Sequence, residues 1–326
     1  MKPTLAYRRD KEWLVLDGEG LSALAAAANA ESPEAGISSH AMRQWLIDYA
    51  PFPAKWINRL FSVGGIQRED EALKLLAFPA AAKGAADPLY RKAAASRSGA
   101  QETVFAELLY EDDFCAVFLK PAGMPVHESH PGQSGTLDEA AAQHMLAKND
   151  LLPVRHIHRL DDDTSGPVLY SKNDLAQWVL DEAMRAKRID RRYIAVVHGR
   201  LAARSGTIHA PIGKDRHQPS RRRVSPNGEQ AVTHYELVET IGNASVVRLQ
   251  LETGRTHQIR VHMSHIGHPL VGDRLYGGDG TLLPHQALHG ERLLFPHPWT
   301  GLSIEAKAPA PAWLETLRDK LGSRTK

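Results

Sequence analysis

The sequence predicts a mixed α+β protein whose main sheet is largely antiparallel, preceded by a small, mainly helical region. Three observations carry this. Beyond residue 100, apolar β-prone runs follow one another over short turns, a connection open to antiparallel strands but not to parallel ones. Segments with helical spacing fall between those runs, at 137–148 and 174–186. The first hundred residues differ in character, being Ala-rich and helical where the rest is strand-rich.

In order along the chain, Leu21–Ala30 is an Ala-rich helical stretch and Met42–Leu76 a patterned segment. From Phe78 to Gln101 the composition shifts to Ala, Gly, Ser, Lys and Arg without sustained apolar periodicity. That predicts a linker, dividing residues 1–100 from a domain of residues 101–326. Thr103–Tyr110 and Phe114–Lys120 read as strands joined by the acidic turn Glu111-Asp112-Asp113. Helices are predicted over Leu137–Lys148 and Asp174–Ala186. Asp174 would cap the second, with Leu175, Trp178, Val179, Leu180 and Met184 facing the core. Further strands are predicted at Val168–Ser171, Arg192–His198, Ala231–Thr240 and Ser245–Glu252, and a further helix capped by Thr256.

A length of 326 residues with 42% hydrophobic content is enough for a sizeable core and more than one domain. No run of about 18 apolar residues could span a bilayer, and no basic-apolar signal pattern opens the chain. A cytoplasmic protein without a membrane partner is therefore expected. The single Cys115 cannot form an internal disulfide or a thiolate-rich zinc site, and its apolar neighbours mark it as a buried strand residue. The seventeen His residues include no HExxH or comparable pair with a third ligand, so no metal site is predicted. Net charge is only +2, but its distribution is uneven. Twelve Lys or Arg lie between Arg185 and Arg223 against two acids, Asp190 and Asp215, as on a phosphate-contacting surface or a solvated basic face.

Two segments concentrate chemistry. His156-Ile-His-Arg-Leu-Asp-Asp-Asp-Thr-Ser-Gly-Pro-Val-Leu-Tyr170 places charged residues and a Thr-Ser-Gly turn directly before an apolar strand. A loop of this kind can present a carboxylate into a cleft from a rigid support, or can be an acidic surface loop bonding its own backbone. Leu251-Glu-Thr-Gly-Arg-Thr-His-Gln-Ile-Arg-Val-His-Met-Ser-His265 carries Arg255 and Arg260, which need anionic partners if buried. Those partners could be phosphates, a carboxylate or a surface ion-pair patch.

His158-Arg159-Leu160-Asp161 followed by Thr164-Ser165-Gly166 resembles the signature loop of the RluA-type pseudouridine synthases. Four further stretches are similar in the same order. They are Lys120-Pro121-Ala122-Gly123 with Val126-His127, Arg192-Tyr193, Thr253 to Arg260, and Gly267-His-Pro-Leu-Val-Gly-Asp-Arg-Leu-Tyr276. A weaker likeness is Leu288-His289 with Leu294, Phe295, His297 and Pro298. The resemblance covers about Val104 to the C-terminus and implies the pseudouridine synthase fold. It also implies an RNA uridine isomerase that uses neither metal nor organic cofactor.

The resemblance assigns roles residue by residue. Asp161 matches the essential aspartate, which either attacks the sugar or base or removes a ribose proton to give a glycal. Arg260 matches the arginine that keeps that carboxylate ionised in a dry pocket. Tyr193 matches the active-site tyrosine, whose ring can stack on the extruded base, a role better suited to it than that of a base. Arg159 looks like the residue that fills the space the uridine leaves. With the basic run, the resemblance makes His158, Arg159, Arg192, Arg221, Arg222, Arg255, His257 and Gln258 the candidate RNA contacts. Asp162 and Asp163 read as loop or capping residues, and Leu270 or Val271 as apolar packing near the base.

In the first hundred residues, Pro53–Leu76 is faintly similar to the ribosomal-protein S-four-type RNA-binding module, but Arg68-Glu69-Asp70 replaces its usual Asn-Gly turn. Thirteen Lys or Arg against eleven acids there make no strong phosphate surface. The expected partner is RNA, ribosomal before transfer RNA, and the expected state a monomer. An RNA-binding or ribosome-assembly protein with a silent cleft is the main rival. A divalent-metal hydrolase built on Asp161-Asp162-Asp163 is the other.

Overall fold

A computed structural model of the protein describes residues 6–34, 36–81, 87–97 and 104–323. The N-terminal part opens with strands β1 (Arg8–Asp10) and β2 (Trp13–Leu16), helices α1 (Gly18–Ala27), α2 (Ser39–Tyr49) and α3 (Ala54–Ser62), then strands β3 (Ile66–Glu69) and β4 (Ala72–Leu75). Helices dominate it as expected, but they pack on a four-stranded antiparallel sheet of order β1-β2-β4-β3. These strands are three or four residues long, too short for alternation to stand out in the sequence.

Part of the expected linker is a helix, α4 (Pro88–Arg97). Its Tyr90 and Ala93 are buried, and the Tyr90 hydroxyl donates to the Leu152 carbonyl at 2.5 Å. Ala is the best helix former yet gives little contrast between faces, so a short Ala-rich helix hides in a periodicity scan. The start of the predicted strand Thr103–Tyr110 lies outside the described residues; the strand itself, β5, spans Glu107–Glu111.

The remaining chain forms two antiparallel sheets. Strands β5, β6 (Cys115–Lys120), β7 (Arg155–His156) and β8 (Gly166–Ser171) make one of order β5-β6-β8-β7, with α5 (Leu137–Ala147) following β6. After α6 (Asp174–Arg185) come β9 (Asp190–His198), β10 (Ser205–His209), the small hairpin β11 (Ile212–Lys214) and β12 (Arg222–Val224), β13 (Val232–Ile241) and β14 (Ala244–Leu251). Helix α7 (Gln258–His265), a 3-10 turn at Arg274–Tyr276, β15 (Leu288–Pro296), β16 (Ser303–Lys307) and α8 (Ala312–Gly322) complete the described chain. The central sheet has six strands, ordered β10-β13-β14-β9-β15-β16. Long-range order places β15 beside β9, a pairing that no local sequence feature encodes.

Two caps differ from expectation. Helix α6 is capped by Asn173, whose Oδ1 accepts from Ala176 N at 2.8 Å. Asp174 instead holds Arg59 at 2.6 Å and Arg155 at 2.8 Å. Helix α7 begins after His257, in the left-handed region at φ 59°, rather than from a Thr256 cap. The predicted inward face of α6 is realised in graded form: Leu175 and Leu180 are buried, while Trp178, Val179 and Met184 are partly so.

The N-terminal part shares one apolar core with the rest. Trp299 is sandwiched between Phe52 and Phe114, at 5.5 Å from each with interplanar angles of 21° and 11°. Arg9 bridges to Asp113 at 3.0 Å and Asp150 at 2.6 Å. No helix among the described residues is long and apolar enough to cross a membrane.

Candidate active site

The site is built where the two larger sheets touch. Ser165, just before β8, bridges to His289 of β15, and the Ser165 carbonyl accepts from Gly290 N at 2.7 Å. At Gly166, with φ +138°, a Cβ would fall 2.6 Å from the Gly290 Cα and N, so glycine alone lets the sheets approach this closely. The loop 157–165 is pinned at this junction. Ser165 Oγ bonds His289 Nδ1 at 2.8 Å, and Gln286 donates to Thr164 Oγ1 at 3.2 Å.

From below, the loop rests on the Lys-Pro-Ala-Gly turn. The Lys120 ammonium is wholly buried and donates to the carbonyls of Pro121 (3.0 Å), Met124 (2.5 Å) and Asp162 (2.6 Å). Gly123 N, at a residue with φ +84°, also donates to the Asp162 carbonyl at 3.0 Å. Burial lowers the Lys120 ammonium to about 8 against the opposing pull of the three aspartates, Asp162 first. A motif that reads as a strand terminator is thus a clamp on the peptide next to Asp161.

Arg260 Nη1 lies 3.0 Å from Asp161 Oδ2, across 99 residues of chain. The same guanidinium gives Nε to Asp273 Oδ2 at 2.7 Å and Nη2 to Asp273 Oδ1 at 2.9 Å, a two-pronged pair whose members are 7% and 2% exposed. Burial alone would push the Arg260 guanidinium down, and Asp273 with Asp161 more than reverses this, holding it above its ordinary range. Asp273 therefore fixes Arg260, and Arg260 presents its one remaining arm to Asp161. Asp273 stands inside the Gly267–Tyr276 stretch, where an acid among apolar and glycine residues was the available signal.

Tyr276 closes this group from the side. Its ring lies under Arg260 at 5.0 Å and Arg221 at 5.5 Å. Its hydroxyl accepts from Arg222 N at 2.9 Å and sits 2.8 Å from His257 Nδ1. Since the hydroxyl already accepts from Arg222, we assign its proton to His257 Nδ1, leaving the ring proton on Nε2, 3.9 Å from Asp161 Oδ2. Burial lowers His257 below the ordinary histidine range, in keeping with a neutral ring.

Tyr193 of β9 is buried to 6% exposure and lines the same cleft as Asp161, Arg159, Gly254, Arg255, His257 and Arg260. Burial raises its hydroxyl above the ordinary phenol range, so it stays protonated and the ring is the part offered to the cleft. The cleft holds about 160 Å³ around Tyr193. It continues into a basin of about 270 Å³ bounded by His127, Asp162 and Asp163, with Arg159, Leu160, Asp161, His257 and Arg260 common to both. Its apolar lining comes from Leu160, Leu251, Ile259 and Leu288. Leu270 and Val271, expected there, have no exposed surface.

Of the expected RNA contacts, Arg159, Arg255 and His257 line the cleft and Arg221 flanks it over Tyr276. Others do not face it. His158 is buried and its Nε2 accepts from Leu169 N at 3.3 Å, so it braces the loop from within. Gln258 borders the cleft but is buried, with its amide spent on Thr253, Arg255 N, Val232 O and Thr233. Arg192 alternates to the face of β9 away from Tyr193 and bonds Asp190 at 2.9 Å. The Arg222 guanidinium folds back on the carbonyls of Pro219 and Arg221. By the same alternation Arg191 shares the Tyr193 face. Its Nη1 sits where a Cβ on Gly254 would come within 2.6 Å, and its buried Nε has no hydrogen-bond partner.

Among the described residues, one group of metal-ligand types comes together, Asp112, Cys115 and His297. The Asp112 oxygens are already occupied by His297 (2.5 Å), Tyr110 (2.6 Å) and the N–H groups of Phe114 and Cys115 (2.7 and 2.9 Å). This is a hydrogen-bonded clasp beneath Trp299, and Cys115 is the buried strand residue expected.

A family model described as RNA pseudouridylate synthase matches residues 115–265, the stretch that builds most of this cleft. An uncharacterised RNA pseudouridine synthase of Bacillus subtilis, YhcT, is 46% identical over 213 residues, 65% of this chain and 70% of that protein. The chain belongs to the RluA-type family of RNA pseudouridine synthases. Ribosomal large subunit pseudouridine synthase D of Pseudomonas aeruginosa is 40% identical over 228 residues, 65% of this chain and 71% of that protein. The solved structure of human RNA pseudouridylate synthase domain containing 1 superposes with a TM-score of 0.55 at 24% identity, over 63% of this chain and 84% of that one. This likeness shows that the pseudouridine synthase fold is shared. As a member of this family the protein is an isomerase that acts on uridine in RNA.

Proposed function

We infer that this pseudouridine synthase modifies a chosen uridine of ribosomal RNA in the cytoplasm, as a monomer, with Asp161, Arg260 and Tyr193 at its reacting centre. The carrying observation is the chain Asp273–Arg260–Asp161, in which one buried acid immobilises the guanidinium that orients another at the cleft. In the reaction the bond from C1′ to N1 breaks, the base turns, C1′ joins C5, and the C5 proton is lost while N1 gains one. Asp161 is the group that starts this, by addition or by removing a ribose proton. Tyr193 holds the extruded base by its ring, and Arg159 enters the stack it left. The Asp161 carboxylate or water takes the C5 proton, N1 takes one from solvent, and Arg260 makes no bond but holds the carboxylate in place, so this route calls on neither metal nor organic cofactor. The name of the Pseudomonas relative favours ribosomal over transfer RNA. Residues 1–100 add to RNA binding from a part that packs on the same apolar core as the rest of the chain.

The test is a carbodiimide map of pseudouridine in total RNA from cells with and without the gene, repeated in vitro with excess EDTA. One or a few ribosomal positions should vanish with the gene and return with wild type but not with Asp161→Asn. Sites only in transfer RNA would move the substrate assignment, and equal maps for wild type and Asp161→Asn would refute the role of Asp161.

A further inference from the structure

A second groove, of about 1030 Å³, runs between the N-terminal part and the catalytic region, away from the cleft described above. Its walls carry Tyr49 at the end of α2, Lys55 of α3, Trp178 and Arg185 of α6, and Arg188 before β9. We propose that this groove holds an unpaired stretch of the substrate RNA strand adjoining the target uridine. The proposal rests on the family activity and names a feature of the substrate: a single-stranded flank.

The chemistry of the walls points to this occupant. Tyr49 is 48% exposed and Trp178 is only partly buried. Lys55 Nζ stands 5.3 Å from the Trp178 ring. Exposed aromatic faces beside cations are what a protein offers to unpaired bases and their phosphates, whereas the bases of a duplex are already stacked. The acid of the groove, Glu182, is neutralised by Arg185 at 3.1 Å. Lys55 and Arg188 have no acidic partner among the described residues, so the net charge of the walls is positive and suits a polyanion.

Continuity with the active cleft supplies the second argument. From Arg188 the chain runs directly into β9, through Arg191 on the wall beside Gly254, to Tyr193 in the cleft. Five residues of extended chain span at most about 17 Å. A strand rising about 3.4 Å per stacked nucleotide covers that in about five nucleotides. Arg191, whose guanidinium packs against Gly254 at the edge of the cleft, adds a positive charge along this route. An acidic peptide would match the charge, but it would leave the aromatic faces and the path to the cleft unexplained.

Fluorescence anisotropy on the full chain tests this with two probes: a fluorescein-labelled hairpin with a uridine-containing loop, with or without a short unpaired extension on either side, and an unpaired twelve-nucleotide RNA alone. The variants are Tyr49→Ala and the double charge reversal Lys55→Glu/Arg188→Glu, which alters two exposed side chains and so should fold. For wild type the better-placed extension should tighten hairpin binding about tenfold, equivalent to about 1.4 kcal/mol. In either variant that gain should fall below about twofold, with the unextended hairpin bound as before. Losing two cations should lower the salt slope for the twelve-mer by about 1.4.

An extension that brings wild type no gain, or the same gain in the variants, would overturn the groove assignment. So would displacement of the twelve-mer by a glutamate twelve-mer at equal charge, which would assign the groove to an acidic protein instead. Binding of the twelve-mer needs no turnover. Its weakening in the variants therefore supports the groove even if no RNA is modified, an outcome that would count against the enzyme activity alone.

Discussion

Asp273→Asn separates the two tasks that meet at Arg260. The substitution keeps the shape of a side chain that is 2% exposed but removes its charge, and turns one acceptor of the two-pronged pair into an NH2 facing an N–H. Arg260, itself 7% exposed, is left with the single 3.0 Å bond to Asp161 against its desolvation. Removing one partner of a buried ion pair costs about 3–5 kcal/mol. Because Asn retains one good acceptor, about 3 kcal/mol is expected. Arg260 should then tilt toward Asp161, and a displacement of about 1 Å at a reacting group lowers turnover on the order of a hundredfold. Asp161→Asn gives the contrast: Arg260 keeps Asp273, so stability should change by less than about 1 kcal/mol while activity disappears. Urea unfolding gives the first quantity, and single-turnover release of tritium from C5-labelled uridine in RNA the second. Adding Arg260→Met to Asp273→Asn should restore part of the stability, since no buried charge is then orphaned, while leaving the enzyme inactive. If Asp273→Asn unfolds within about 1 kcal/mol of wild type and turns over within about tenfold of it, Asp273 does not clamp Arg260.

Other expectations follow from the same geometry. Burial pushes His158 down to about 3 and His289 to about 4, from an ordinary 6.5. Below pH 6.5 the unfolded chain therefore takes up protons that the fold refuses, and stability falls as the pH drops toward about 4. At pH 5 the loss is about 2 kcal/mol for each ring, so His289→Gln should lessen the difference in unfolding free energy between pH 8 and pH 5 by about 2 kcal/mol. An unchanged difference would contradict the assignment of His289 as a neutral brace. Gly166→Ala must drive a Cβ into the Gly290 backbone and should cost several kcal/mol, seen as loss of soluble, folded protein, whereas Gly132→Ala, whose Cβ meets nothing, should cost only about 1. Lys120→Met removes three hydrogen bonds to carbonyls under the Asp161 loop. It should reduce kcat about tenfold or more with KM little changed, and a proportional rise in KM instead would mean that Lys120 acts on RNA binding.

What the sequence made legible depended on how locally each feature is encoded. Strands β6, β8, β9, β13 and β14 and helices α5 and α6 carry their pattern within a single run, so their positions agree with expectation to within two residues. The N-terminal sheet does not: its four strands are a turn's length each, and only their pairing makes them a sheet. Helix α4 fell inside the expected linker because burying one Tyr and one Ala needs no visible periodicity.

At the site, the motifs could identify residues but not the faces on which they lie. Within Arg191-Arg192-Tyr193, strand alternation turns Arg191 and Tyr193 toward the cleft and Arg192 away from it. The resemblance centres on the pair Arg192-Tyr193, and sequence alone does not tell which of the two neighbouring arginines shares the face of Tyr193. His158 and Gln258 illustrate the same limit. Polarity near a candidate catalytic acid looks like substrate contact until the structure shows both side chains buried and bonded within the fold, His158 to the Leu169 N–H and Gln258 to backbone and threonine hydroxyls. Asp273 and Lys120 stand within recognisable motifs, yet their roles are not legible there, because each acts through something remote in sequence: Asp273 through a guanidinium 13 residues earlier, Lys120 through a carbonyl 42 residues on. A motif marks where chemistry is placed. The support that gives Asp161 its orientation is a property of the junction between two sheets, held by Gly166 against Gly290, and becomes visible only when β8 and β15 are brought together.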